Sequence, residues 1–159
     1  MTDGTEGSIL ILDDDSIVTR TLETLLAEES RWKVCAFTRP SEALNSLDDR
    51  KYDAVLSDFL MPEMDGVQFL KQVRQRQPMA SRILLTGYAD KQNAIRSINE
   101  AGLYYYVEKP WDNDNLLLVL RNAVERSVLI RDLDDRMQSL ARRDHDLEDL
   151  RGRLLKAIL

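Results

Sequence analysis

Four short apolar runs lead directly into residues that can do chemistry. Residues 9–12 are followed by Asp13-Asp14-Asp15, and residues 54–57 by Asp58. The run 83–86 ends in Thr86, and 103–107 leads into Lys109-Pro110. Three carboxylates brought within a few ångströms repel one another at neutral pH, and a divalent cation relieves that repulsion. Oxygen-only ligands with room for water suit Mg²⁺. A lysine supplies a compact positive charge, and a threonine hydroxyl donates to an oxyanion. Nucleophilic carboxylate, metal, cation and hydroxyl donor are together the parts for moving a phosphoryl group onto an aspartate.

The elements that must gather these residues are legible as an alternation. Runs 9–12, 32–37, 54–57, 83–86 and 103–107 are mostly continuous apolar stretches, as expected of parallel strands covered on both faces. Between them lie helical stripes: Ile17, Thr21, Leu25 and Leu26; Val67, Leu70, Val73 and Arg74; Ala94, Ile95, Ile98 and Ala101. Pro40-Ser41 opens a further helix, since proline suits a first turn. Five strands alternating with five helices imply right-handed crossovers and a doubly wound α/β sheet. Such sheets carry their functional site at the carboxyl ends of the strands, which is where the four motifs fall.

From Asn113 the helical pattern does not stop. Leu116, Val119, Ala123, Arg126, Ile130, Leu133, Met137, Leu140, Asp144, Leu147, Arg151, Leu154 and Ile158 recur at three- and four-residue steps, without a proline. The expectation is one helix that leaves the domain as a coiled coil, most simply a parallel dimer. The organisation read from the sequence is a disordered start (1–7), a domain (8–129) and a continuous helical extension (130–159). The chain ends within or just after that helix, so an output domain is expected either beyond it or on a partner.

Composition narrows the function further. A net charge of −6 over 159 residues argues against a nucleic-acid surface. A single cysteine, Cys35, cannot close an internal disulfide and reads as a small core residue. No apolar run is long enough to span a membrane, and residues 1–7 lack the parts of a signal peptide, so the expected location is cytoplasmic.

With ILILDDD, SDFLMPEMDG, ILLTG and YVEKPW in this order and spacing, residues 8–126 resemble the receiver domains of two-component response regulators. The resemblance implies a flavodoxin-like sheet of order 2-1-3-4-5 with a magnesium site. It makes Asp58 the phosphorylated residue, with Asp13, Asp14, Asp58 and the backbone carbonyl of Leu60 as metal ligands. Lys109 and Thr86 would engage the phosphoryl group, and Tyr106 would swing inward as Thr86 moves. Lys109-Pro110 would be cis, and Asp65-Gly66 would turn the chain into the third helix. The implied partner is a sensor histidine kinase, and the implied activity is a signalling switch rather than an enzyme. Leu60 offers no polar group to orient a hydrolytic water and Tyr88 is bulky, so self-dephosphorylation is expected to be slow. The LTGYAD and EKPW variants resemble receivers joined to cyclic-dinucleotide enzymes or kinases rather than to DNA-binding domains.

Other readings compete with this one. A degenerate receiver would serve only as a dimerisation module. A haloacid-dehalogenase-type phosphatase would use Asp13 as nucleophile and Asp15 as acid/base. His145-Asp146-Leu147 faintly resembles a kinase acceptor motif, though a histidine on a charged helix is usually solvated. Tyr104, Tyr105 and Trp111 read as packing residues, and the charges of 131–151 as a wet helical face.

Overall fold

The computed structural model describes residues 4–90, 92, 95, 98–142 and 145–159. Ala94, Asp144 and the side chains of Tyr88 and His145, all singled out above, lie outside the described set. Five strands form one parallel sheet: β1 (Gly7–Leu12), β2 (Trp32–Phe37), β3 (Ala54–Asp58), β4 (Ser81–Thr86) and β5 (Tyr105–Glu108), in the order β2-β1-β3-β4-β5. The helices are α1 (Ser16–Leu26), α2 (Pro40–Asp49), α3 (Gly66–Arg76), the short α4 (Ile98–Ala101), α5 (Asn113–Ala141) and α6 (His145–Ile158).

The continuous apolar runs are explained by two cores. Ile9 and Ile11 of β1 face one side with Leu22 of α1 and Leu116, Leu120 and Ala123 of α5. Leu10 and Leu12 face the other side with Leu44 of α2 and Phe69, Leu70 and Val73 of α3. Each central strand therefore buries both pleat faces, the arrangement parallel sheets require. Aspartates start three helices: Asp15 accepts from Ile17 N, Asp112 from Asn115 N, and Asp65 forms a capping box with Gln68.

Three expectations are corrected. β1 begins at Gly7, which pairs with Trp32, so the ordered chain starts before residue 8. The α1 stripe is displaced: Ile17 is 71% exposed and Thr21 also faces out, while Thr19, Leu22, Leu25 and Leu26 are buried. The third correction concerns the C-terminal helix. It is two helices, α5 ending at Ala141 and α6 returning along it, rather than a single projecting rod. Arg151 of α6 donates to Asp134 of α5, and Arg126 Nη2 donates to the carbonyl of Ile158 at 3.1 Å. The return buries Asp134 with its cation instead of leaving Arg151 on a zipper seam.

Polar anchors fix α5 to the end of the sheet opposite the motif residues. Ser81 Oγ donates to Ala123 O (2.8 Å), Ser127 Oγ donates to Met79 O (2.9 Å), and Arg131 pairs with the buried Asp53. Arg82 is fully buried in β4 and spends its donors on carbonyls. Nε bonds Ala101 and Gly102, and Nη1 bonds Pro78 and Ala80. Burial first, then Arg74 and Arg126, lowers its pKa to about 10. Among the described residues, no helix is long and apolar enough to cross a membrane.

Candidate functional site

Parallel strands β1, β3, β4 and β5 all finish at one edge of the sheet, so their last residues share a rim. Asp13 follows β1 and is held there by its N–H on Phe37 O (3.2 Å). Its side chain is buried at 1% exposure, with Oδ1 accepting from Asp15 N at 2.9 Å. Asp58 closes β3 and is buried at the rim, while Asp14 is exposed beside it. Lys109 follows β5, and its N–H on Thr86 O (2.9 Å) extends the β4–β5 ladder by one step. Its Nζ donates to Asp58 Oδ1 at 2.9 Å and to Asp13 Oδ2 at 3.1 Å. The Lys109-Pro110 peptide is cis.

Gly66 shapes the floor of the site. A Cβ there would lie 2.1 Å from the carbonyl oxygen of Asp58 and 2.9 Å from Leu84 Cδ1. The N–H of Gly66 donates to Phe59 O at 2.8 Å, pulling the start of α3 against the end of β3. The sequence marks Asp65-Gly66 only as a turn; that the glycine is demanded by close backbone approach emerges from the packing.

The electrostatics are those of an acidic pocket with one internal cation. Burial raises the Asp13 carboxyl above its ordinary value; the charge of Asp58 adds to this, and Asp15 N–H and Lys109 partly oppose it. Burial pulls Lys109 down, but its bond to Asp58 and the charges of Asp13 and Asp58 outweigh this and raise it. One ammonium among Asp13, Asp14 and Asp58 leaves the pocket negative. One oxygen from each of those three carboxylates lies within 4.8 Å of the others. Magnesium–oxygen bonds of about 2.1 Å put opposite ligands roughly 4.2 Å apart, so the donor set fits the ion after a small inward shift.

The remaining motif residues are Thr86, Tyr106, Leu60 and Asp15. Thr86 is fully buried at the end of β4, one step beyond Leu85, the register partner of Asp58. Its Oγ1 donates to Gly87 O at 3.1 Å. Tyr106 is half-buried and stacks on the exposed Tyr105 with ring centroids 6.2 Å apart. Leu60 is 59% exposed. Asp15, the acid/base candidate of the phosphatase reading, is engaged as the cap of α1.

An acidic pocket bridged by a lysine at the strand ends of a doubly wound sheet is the architecture of a signalling receiver. Residues 9–121 match the family model of the response regulator receiver domain, and the chain belongs to that family. It is 38% identical over 128 residues to the hydrogenase transcriptional regulatory protein HoxA of Cupriavidus necator, covering 80% of this chain and 26% of that protein. It is 35% identical over 133 residues to the regulatory protein AtoC of Escherichia coli, covering 84% and 28%. The chain thus spans about a quarter of these relatives. The signal receiver domain of an HD domain-containing protein from Pseudomonas fluorescens Pf-5 superposes with a TM-score of 0.75 at 34% identity, covering 83% of this chain and 97% of that one. HoxA is named as a transcriptional regulator, a different output from the one the LTGYAD and EKPW variants suggest.

Proposed function

We propose that the chain is a phosphorylation-controlled switch in which Asp58 accepts a phosphoryl group from the phosphohistidine of a sensor histidine kinase. The observation that carries this is Lys109 Nζ, held between Asp13 and Asp58 inside an acidic pocket. An Asp58 carboxylate oxygen attacks phosphorus in line as the phosphorus–nitrogen bond to the donor imidazole breaks. Asp13, Asp14, Asp58 and the Leu60 carbonyl would hold Mg²⁺, which would supply positive charge to offset that of the transferring group. Lys109 then turns from the Asp58 carboxylate to an oxygen of the new phosphoryl group. The Thr86 hydroxyl leaves Gly87 O for another phosphoryl oxygen, and Tyr106 moves with it, shifting a two-state equilibrium. Ile17, two residues past Asp15, and Leu60, two past Asp58, are exposed and would offer apolar contacts to the docking donor.

In this reading the C-terminal helices carry a homodimer contact, and the signal passes to an output domain beyond residue 159 or to a partner. The switch is tested by ¹⁹F NMR of the chain with Mg²⁺ and beryllofluoride, a phosphoryl mimic. Wild type is expected to show a bound fluoride signal that Asp58→Asn lacks; an equal signal in Asp58→Asn would refute Asp58 as the acceptor.

A further inference from the structure

The α5–α6 hairpin leaves one of its faces bare. Leu129, Leu133 and Leu140 of α5 and Leu150 and Leu154 of α6 are exposed, Leu129 by 67%. Residues advance by about 100° along a helix, which places Leu129, Leu133 and Leu140 within one narrow arc. That arc lies about a quarter-turn from Ile130, Asp134, Met137 and Ala141, the line meeting α6. On α6, Leu150 and Leu154 are offset by a similar angle, in the same sense, from the half-buried Leu147–Arg151–Leu155 line. The helices run antiparallel, since Asp134 meets Arg151 and Arg126 meets Ile158. Offsets of one sense on antiparallel helices fall on the same side of the two-helix layer. The same pairings put Leu154 level between Leu129 and Leu133, and Leu150 between Leu133 and Leu140. The five leucines form one interleaved stripe.

We propose that this stripe is covered by the same stripe of a second copy, making a four-helix layer pair about a two-fold axis parallel to the helices. This rests on the reading that the C-terminal helices carry the homodimer contact, and it names the face. The rim charges select the occupant. Such an axis sets α5 of each copy beside α6 of the other at equal height. Asp132 then faces Arg153 of the second copy, and the same axis brings Arg153 of the first copy to Asp132 of the second. Among the described residues of one chain Asp132 pairs with Arg136, at 3.2 Å on an exposed surface. A face whose acidic and basic rims exchange under its own two-fold axis is complementary to itself. Two hairpins also bury leucine against leucine, which a solitary two-helix layer cannot do.

The test is sedimentation of the full chain. Wild type is expected at twice the 18.3 kDa chain mass. Leu129→Lys with Leu154→Lys is expected to sediment as a monomer while keeping its far-UV circular dichroism and its beryllofluoride signal. Asp132→Arg or Arg153→Asp alone should weaken association about tenfold or more, and the two together should restore it. Failure of that restoration overturns the two-fold arrangement. A dimer that resists the leucine substitutions but dissolves on Tyr105→Glu moves the contact to the sheet edge, overturning this face and the C-terminal-helix contact on which it rests while leaving homodimerisation standing. A monomeric wild type overturns the face and the homodimer together, while its fluoride signal still reports independently on the switch.

Discussion

Replacing Gly66 by alanine places a methyl group where the structure has no room. The added Cβ sits 2.1 Å from Asp58 O and 2.9 Å from Leu84 Cδ1. Carbon–carbon contacts are comfortable only at about 3.5–4.0 Å, so a displacement of more than an ångström is needed. The Leu84 side chain can rotate away, but the Asp58 carbonyl cannot. It accepts from Ser57 Oγ at 2.9 Å, and the next residue, Phe59, donates to Leu85 O at 3.0 Å and accepts from Gly66 N at 2.8 Å. Overpacking of this kind costs about 3 kcal/mol, offset by ~0.4–1 kcal/mol from the stiffer unfolded chain. A net loss of about 2–3 kcal/mol should lower Tm by roughly 4–12 °C in a domain of this size. Because the displaced atom belongs to Asp58, acceptance of phosphoryl from acetyl phosphate should slow as well. Urea denaturation read by circular dichroism measures the loss. Gly152→Ala is the control: nothing lies within 4 Å of its Cβ in α6, and it should stabilise by about 0.5–1 kcal/mol. A Gly66→Ala protein within ~0.5 kcal/mol of wild type, accepting phosphoryl at the normal rate, would refute the close-approach argument.

Arg82→Met strips donors from the carbonyls of Pro78, Ala80, Ala101 and Gly102. At about 1–3 kcal/mol per stranded buried group, the denaturation free energy should fall by at least ~3 kcal/mol, and an unchanged urea midpoint would contradict that role. Asp13→Asn and Asp14→Asn should each weaken Mg²⁺ binding measured by calorimetry about tenfold or more, whereas Asp15→Asn, altering only a helix cap, should leave it nearly unchanged. Leu60→Asn offers a polar group beside the aspartyl phosphate, and the decay of phosphorylated protein should accelerate severalfold. Equal decay rates would show that Leu60 does not set the lifetime.

The sheet was legible because burial on both faces turns parallel strands into unbroken apolar runs, and the site was legible because those runs end in Asp13, Asp58, Thr86 and Lys109. What escaped sequence reasoning depends on partners distant in the chain. β4 reaches back to Ser81 through a buried arginine, which no hydropathy pattern marks as core because Arg82 is satisfied by carbonyls alone. The α1 stripe legible in the sequence includes Ile17 and Thr21, which the helix exposes, and omits Thr19 and Leu22, which it buries. The two-helix C-terminus has no proline to announce it, and the seam count runs straight past residue 142. Its one usable signal was charge: Arg126 and Arg151 sit badly on a zipper seam, and Arg151 finds its partner in Asp134, seventeen residues away.

The most direct test of the central claim is the intact mass of the chain after incubation with acetyl phosphate and Mg²⁺. The account predicts one phosphoryl adduct on the wild-type protein, none on Asp58→Asn, and none when the metal is chelated. An adduct that persists in Asp58→Asn, or steady phosphate release that depends on Asp13 alone, would contradict it.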